Sequence, residues 1–426
     1  MSLKSDISTG GSQIQYGATA LRLGKYAFWT ASGAVLPLVM DRLIVHPVLN
    51  KHLGAELFGA FLWVLGIVNL FGSVAAFGFS TLLMREFARQ TPAAAGQMLR
   101  TATTLTVGLT FVIVCITLGF SAILAEEPVR SNLWPLYLPL GAFAVLRGIS
   151  VILIANLRIK RRFKTILLLS TAEACVLSLN LVTAPIESLW LIGCVYVMSV
   201  VLTLSICLGV TEEFRSSKGW IDPSWRRWLL MGWGAGALLN ALNSSQLYLS
   251  RIILGAVADV GDVAVLYAGT AMGSLFVMPV GVLAALVLSL VGGRKDFDLS
   301  GLERNLYLVL ALGMGVAVAI ISWFGGSFLV TNRYPDLAPK TLEFFHWIAI
   351  GNGFMTVMIL VRPIVVKYGN LTQMVAVAGL CFVTQIVCLL VLIPIANAQG
   401  AAIGQMIAAG LGAVLWALMA IRLRPE

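Results

Sequence analysis

Long apolar runs separated by short polar segments extend over almost the whole chain. Each run is long enough, at roughly 20 residues, to cross about 30 Å of hydrocarbon as an α-helix. The pattern predicts twelve spans, at residues 26–48, 57–82, 101–124, 134–156, 165–185, 188–210, 228–250, 263–291, 305–330, 342–365, 371–394 and 399–421. The sequence therefore predicts an all-α polytopic membrane protein.

Lysine and arginine are distributed unevenly between the predicted loops. Of the 29 basic residues, 22 lie in loops on one side of the membrane and five in the alternate loops, while Arg42 and Arg147 lie inside spans. Cytoplasmic loops carry an excess of Lys and Arg. This distribution predicts that both termini are cytoplasmic, which an even number of spans allows.

The longest polar connection, residues 211–227, divides the twelve spans into six and six. We expect two pseudo-symmetric six-helix bundles around a central cavity, a plan that recurs among transporters. The predicted segments are a cytoplasmic tail (1–25), an N-terminal lobe (26–210), a cytoplasmic linker (211–227), a C-terminal lobe (228–421) and a second tail (422–426).

Composition excludes several classes of protein. Hydrophobic residues make up 59% and charged residues 11% of the chain, and the mean hydropathy is +0.93. Such a chain is neither a water-soluble domain nor a disordered one, and its net charge of +10 reflects orientation in a bilayer rather than binding to nucleic acid. No nucleotide-binding loop or metal-ligand spacing is present, so no cofactor or metal is expected.

Two pairs of charges inside spans are the main candidates for function, because an ionised group at bilayer depth costs roughly 2.5–3.5 kcal/mol. Asp41 and Arg42 lie in the first span, where the alternatives are a role inside the bundle or an interfacial pair. Arg147 and Glu173 lie roughly 16 and 13 Å from the cytoplasmic side on consecutive helices. They form either a structural ion pair or a site in which Arg147 binds an anion and Glu173 couples an ion.

Further candidates lie in the second half of the chain. Arg251 ends the seventh span, and Arg362 lies near the inner end of the tenth, where snorkelling to the surface explains it equally well. Glu343 and His346 share a helix face and form either a proton site or a solvated helix end. We predict Arg42, Arg147, Arg251 and Arg362 as substrate-binding residues, and Asp41, Glu173, Glu343 and His346 as ion-coupling residues.

Four short motifs, in order along the chain, resemble the Wzx-type polysaccharide flippases of the MOP superfamily. They are residues 53–59 (LGAELFG), 78–85 (GFSTLLMR), 146–148 followed by 161–164 (LRG and RRFK), and 400–404 (GAAIG). One departure is Ser250-Arg251, where many relatives carry an acidic residue beside the basic one, so a role for that acid does not carry over.

The resemblance implies a flippase in the bacterial cytoplasmic membrane that moves an undecaprenyl-diphosphate-linked oligosaccharide, such as an O-antigen or exopolysaccharide repeat unit. Membrane lipid is then a partner, together with polysaccharide polymerase and chain-length proteins. The open alternative is a drug or metabolite:cation antiporter of the MATE type, for which a central carboxylate would be indispensable and Arg147 dispensable. A membrane enzyme of glycan assembly is the third hypothesis, although no set of paired polar residues supports it.

Overall fold

The computed structural model describes residues 35–86, 90–124, 129–160, 162–183, 188–211, 214, 223–281, 283–284, 301–368 and 371–422. Both predicted tails, apart from Arg422, lie outside these residues, as do the start of the first span, most of the linker and the end of the eighth span. The helices are α1 (His46–Glu86), α2 (Pro92–Leu124), α3 (Val129–Ile159), α4 (Phe163–Thr183), α5 (Leu189–Val210), α6 (Pro223–Val257), α7 (Val260–Ser274), α8 (Gly301–Arg333), α9 (Ala338–Tyr368) and α10 (Leu371–Arg422).

Two of these helices contain a break and cross the membrane twice. Helix α10 has 52 residues, roughly 78 Å at 1.5 Å per residue, which is too long for one crossing. It reverses at Ala396 and Asn397, where Asn397 has φ 45°. Helix α1 reverses at Gly54, with φ 73° and ψ 171°, a conformation open essentially to glycine alone. We call the segments of α1 before and after Gly54 its first and second arms, and the first arm includes the helical residues 35–45.

The described helices therefore make twelve crossings, as the hydrophobic pattern predicts. Eight helical stretches among the described residues are long and apolar enough to span a membrane, and two of these stretches contain the breaks in α1 and α10. The other two crossings are α6, which is rich in polar residues, and α7, which continues through a short irregular segment after Ser274. The protein is an all-α polytopic membrane protein.

Successive crossings alternate in direction, which defines two faces. The Gly54 face contains the break in α1, the start of α5 and the turn between α6 and α7. The Arg162 face contains the turn between α3 and α4 and the C-terminal end of α10. We refer to α1–α5 as the N half and to α6–α10 as the C half.

The two halves pack along the second arm of α1, which lies antiparallel to α6. The indole Nε1 of Trp63 donates a hydrogen bond to the Ile252 carbonyl at 2.9 Å, and the Trp63 ring lies against Gly255. Closer to the Arg162 face, Gly78 lies against the Trp233 ring. One buried apolar core extends through both halves, and a second core lies within the C half between α8, α9 and α10.

The halves approach closely at Gly59, near the Gly54 face. A β-carbon on Gly59 would overlap the backbone carbonyl of Val260, so the second arm of α1 and the start of α7 are in backbone contact. Such contacts through small residues are typical of membrane helix packing. The segments around Gly59 and Val260 are also the two stretches, 53–59 and 254–261, whose sequences echo each other between the halves.

We expect Gly59→Ala to lower the free energy of unfolding by about 1–3 kcal/mol, because the added methyl forces the two backbones apart. Gly108→Ala in α2 is the matched control, since nothing lies within 4 Å of the position of its β-carbon. The measurement is thermal unfolding in detergent. Equal midpoints for the two variants would show that the halves do not depend on this contact.

Candidate functional site

A widened helical turn in α1's first arm brings together two groups that an α-helix would separate. Residues Asp41–Val45 form a π-helical turn in which the backbone N–H of His46 bonds to the Asp41 carbonyl. In an α-helix, residues five apart point roughly 140° away from each other, whereas a π turn bonds residues at that spacing. Pro47 provides a local cause, because it lacks the N–H that an α-helix would direct at the Leu43 carbonyl.

His46 lies at the junction between the two halves and contacts both. Its Nδ1 lies 2.6 Å from the Tyr267 hydroxyl of α7 and 3.3 Å from the Asp41 Oδ2. Its Nε2 lies 3.3 Å from the Tyr196 hydroxyl of α5. The rings of Phe58 and Phe61 pack around the imidazole, which is 3% exposed. The imidazole is therefore a buried polar bridge between α5 and α7.

Two arginines lie at the same junction with neutral partners. Arg42 reaches from the N half to α7, where its Nη1 donates to the Ser274 hydroxyl and to the Ala271 carbonyl, the latter at 3.3 Å. Arg251 of α6 donates to the Leu247 carbonyl at 3.1 Å and lies about 5 Å from the centres of two tyrosine rings. Hydrogen bonds to carbonyls and hydroxyls hold these guanidinium groups without neutralising them.

Arg147 and Glu173 form the ion pair that the sequence predicts as one alternative. The Arg147 Nη1 lies 2.6 Å from the Glu173 Oε1, and the Thr203 hydroxyl donates to the other carboxylate oxygen at 3.1 Å. The Arg147 side chain is 44% exposed and that of Glu173 is 17% exposed. Both groups interact electrostatically with Asp41, so the pair belongs to the same charged region as the junction.

The structure thus brings together five of the eight predicted site residues: Asp41, Arg42, Arg147, Glu173 and Arg251. The other three lie on α9. Glu343 is exposed near the Gly54 face, the His346 ring packs against Trp347, and Arg362 is half-buried near the Arg162 face. Among the described residues, no hydrogen bond or ion pair joins these three to the junction.

Sequence reasoning missed the residues that connect the charges. His46 attracts no attention in a search for metal spacing, and Tyr196 and Tyr267 look like ordinary apolar-span residues. It also missed a buried polar contact in the C half, where the side-chain amide of Gln385 donates to the Gln246 backbone carbonyl at 3.4 Å. The available signal for His46 was its position one residue before a proline in a span that also carries Asp41 and Arg42.

Comparisons with solved structures identify the fold. The chain is similar to an inward-facing multidrug-resistance MATE transporter of the MOP superfamily, with a TM-score of 0.71, 15% identity, and 90% of this chain and 94% of that one covered. For an outward-facing MATE transporter the TM-score is 0.61, with 16% identity and 93% and 94% covered. A MOP superfamily transporter from Pyrococcus furiosus, described as having a binding pocket of reverse polarity, gives 0.65, 16% identity and the same coverage.

No family model matches the chain, and no curated protein matches it. The structural similarity extends over nearly the whole of both chains, so the protein has the fold of the MATE transporters of the MOP superfamily.

We predict that Pro47 maintains the π turn. In a cysteine-free chain carrying Asp41→Cys and His46→Cys, oxidation is expected to form a disulfide, which needs Cα atoms within about 7 Å. Adding Pro47→Ala restores the missing N–H and permits an α-helix, in which five residues already rise about 7.5 Å. The disulfide yield, measured by mass spectrometry, should then fall severalfold.

Pro37→Ala, ten residues earlier on the same arm, is the control and should leave the disulfide yield unchanged. An equal effect of the two substitutions would refute the role of Pro47.

We also predict an asymmetric response when the Arg147–Glu173 pair is broken. Arg147→Gln leaves the more buried carboxylate alone and is expected to cost about 2 kcal/mol, while Glu173→Gln leaves the more exposed guanidinium and costs less. The double variant, with no net charge left over, should recover most of the stability. Thermal unfolding of the four proteins measures this cycle, and additive losses would show that the two groups are not coupled.

Proposed function

We propose that this protein is a flippase that carries an undecaprenyl-diphosphate-linked oligosaccharide from the inner to the outer leaflet of the bacterial cytoplasmic membrane by alternating access. A sugar headgroup that crosses hydrocarbon unaided gives up its hydrogen bonds to water, at a cost of several kcal/mol per group. A polar path between two helical halves removes that barrier, while the lipid tail stays in the bilayer.

The observation that carries this proposal is that the hydrogen-bond partners of Arg42 and Arg251 are neutral, while the Asp41 carboxylate acts on both guanidinium groups only through its charge. Both guanidinium groups lie at the junction of the halves, and the hydrogen-bond partners that the structure gives them are carbonyls and a hydroxyl. A diphosphate gives a guanidinium an opposite charge and acceptor oxygens spaced for two parallel hydrogen bonds, which a carbonyl or a hydroxyl does not. An incoming diphosphate can therefore displace these partners, and Ser274 and the tyrosine rings are what it would replace.

The remaining charges fit supporting roles. Arg147 lies closer to the Arg162 face than Arg42 and already has Glu173 as its counter-ion. We therefore assign it a secondary role in binding the anion. Asp41 and Glu173 are the carboxylates nearest the arginines and are the candidates for coupling transport to an ion gradient. Arg362, Glu343 and His346, which lie on α9, remain candidates outside this region.

The structural similarity supports a transporter but does not identify its substrate, so the substrate class is inferred from the charged residues at the junction. The MATE fold supports alternating access, and the antiporter alternative draws equal support from it. Three arginines around two carboxylates favour an anionic substrate over a cationic drug. The Pyrococcus furiosus protein, described as having a binding pocket of reverse polarity and a different function, is a precedent for such a change on this fold.

We further infer that the Gly54 face is the outer face and that the structure represents a state closed on that side. The distribution of 22 basic residues against five supports the orientation. The backbone contact at Gly59 and the stacking of Phe58 on Tyr334 join the halves near the Gly54 face. The higher TM-score to an inward-facing than to an outward-facing neighbour is consistent with this state.

The proposal predicts that Arg42→Gln and Arg251→Gln each reduce flipping by at least about tenfold, since a hydrogen bond to a charged group is worth about 1.5–3 kcal/mol. The assay is accumulation of lipid-linked oligosaccharide in a deletion strain complemented with each variant at matched protein level. Arg333→Gln, at the exposed end of α8, is the control and should complement fully.

Full complementation by both variants would contradict the proposal. The antiporter alternative predicts the opposite pattern, in which Asp41→Asn or Glu173→Gln abolishes efflux of a cationic dye and the arginine variants keep it. Measuring dye efflux and lipid-linked oligosaccharide in the same strains separates the two functions.

A further inference from the structure

The mechanism above does not use His46, although its imidazole contacts both halves. We propose that His46 is a latch that holds the Gly54 face closed through its hydrogen bond to Tyr267. The proposal rests on alternating access, as proposed above, but not on the identity of the substrate.

The latch follows from which half each partner belongs to. Tyr196 and His46 both lie in the N half, so the 3.3 Å contact between them persists when the halves move apart. Tyr267 lies in the C half, so its 2.6 Å contact with Nδ1 must break when the Gly54 face opens. Asp41, the third polar partner of the ring, also lies in the N half, so among these three contacts only the one to Tyr267 depends on the conformational state.

The hydrogen bond between His46 and Tyr267 lies well below the Gly54 face, so it must break when that face opens. His46 precedes the break at Gly54 by eight residues and Tyr267 follows Val260 by seven, so both lie roughly 10–12 Å below that face. The contacts between the halves that lie nearer the face include the backbone contact at Gly59, which separates when that face opens. Burial among Phe58 and Phe61 keeps competing water away from the bond, which strengthens it.

The Tyr196 side of the ring acts as an anchor. A neutral imidazole has one donor and one acceptor nitrogen, and each tyrosine hydroxyl can serve either. The Tyr196 hydroxyl therefore holds the imidazole in place while Tyr267 leaves and returns. The Asp41 carboxylate faces the same Nδ1 as Tyr267, at 3.3 Å, and Arg42 and Arg251 are the other charged groups that act on the ring. The latch thus joins the predicted ion-coupling carboxylate to the C half.

Two tyrosine variants with the same chemical change separate the latch from a merely structural role. Tyr267→Phe removes the hydrogen bond between the halves and keeps the ring contacts with Phe58 and His46. Tyr196→Phe removes hydrogen bonds to the same imidazole and to Asp41, both inside one half, and keeps the contacts with Phe61 and Phe143. His46→Phe, which removes both bonds but keeps an aromatic ring, is the third variant.

The experiment measures the distance between spin labels on either side of the junction at the Gly54 face. Labels on cysteines at Glu56 and Asp336, both exposed, report on the N and C halves of the full chain in lipid nanodiscs, with the six native cysteines replaced. Double electron–electron resonance gives the populations of short and long distances, and thermal unfolding confirms that each variant is folded.

We expect Tyr267→Phe and His46→Phe to raise the ratio of open to closed populations about fivefold, the change that one buried hydrogen bond of ordinary strength produces. Tyr196→Phe is expected to leave the ratio within twofold of the parent chain. Equal shifts for Tyr267→Phe and Tyr196→Phe, or no shift in any variant, would overturn the latch.

No glycan is present in this measurement, so its outcome is independent of the substrate assignment. If Tyr267→Phe opens the Gly54 face as expected but the parent chain fails to complement the deletion strain, the latch is supported and the glycan proposal is rejected. Full flipping by the arginine variants together with a fivefold opening in Tyr267→Phe would do the same.

Discussion

An ionised side chain inside a bilayer needs a partner, and this requirement organises the centre of the protein. The cost of an unpartnered charge at bilayer depth explains why the charged side chains of spans one, four, five and seven interact with one another. Partners for Asp41 and Arg42 come from different directions: the carboxylate contacts His46 of its own helix, and the guanidinium crosses to α7. The junction of the halves is thus also a place where charged groups of the two halves interact.

Close backbone packing allows these polar contacts to form. Glycine at position 59 lets α1 and α7 approach until their backbones touch, and this places Ser274 and Ala271 within reach of Arg42. Trp63, hydrogen-bonded to the Ile252 carbonyl, fixes the register of α1 against α6. A bulky residue at position 59 would therefore move Ser274 and Ala271 away from Arg42 without contacting Arg42 directly.

The sequence predicted the twelve crossings and indicated the ion pair between Arg147 and Glu173 as one of two alternatives, because both follow from local quantities. Hydropathy sets the spans, and equal depth on helices joined by a short turn brings the pair together. His46, Tyr196 and Tyr267 could not be found in this way. The partners are 150 and 221 positions from His46 in the chain, and the π turn that aligns Asp41 with His46 violates the 3.6-residue period on which helix-face arguments depend.

The central claim is that the basic junction recognises a diphosphate. The most direct measurement is transport by the purified protein in proteoliposomes, comparing an oligosaccharide attached to polyprenyl diphosphate with the same oligosaccharide attached to an uncharged polyprenyl lipid. Transport of the diphosphate form at least tenfold faster than the neutral form, with the difference lost in Arg42→Gln, is the predicted result. Equal rates for the two lipids in the parent protein would contradict the account.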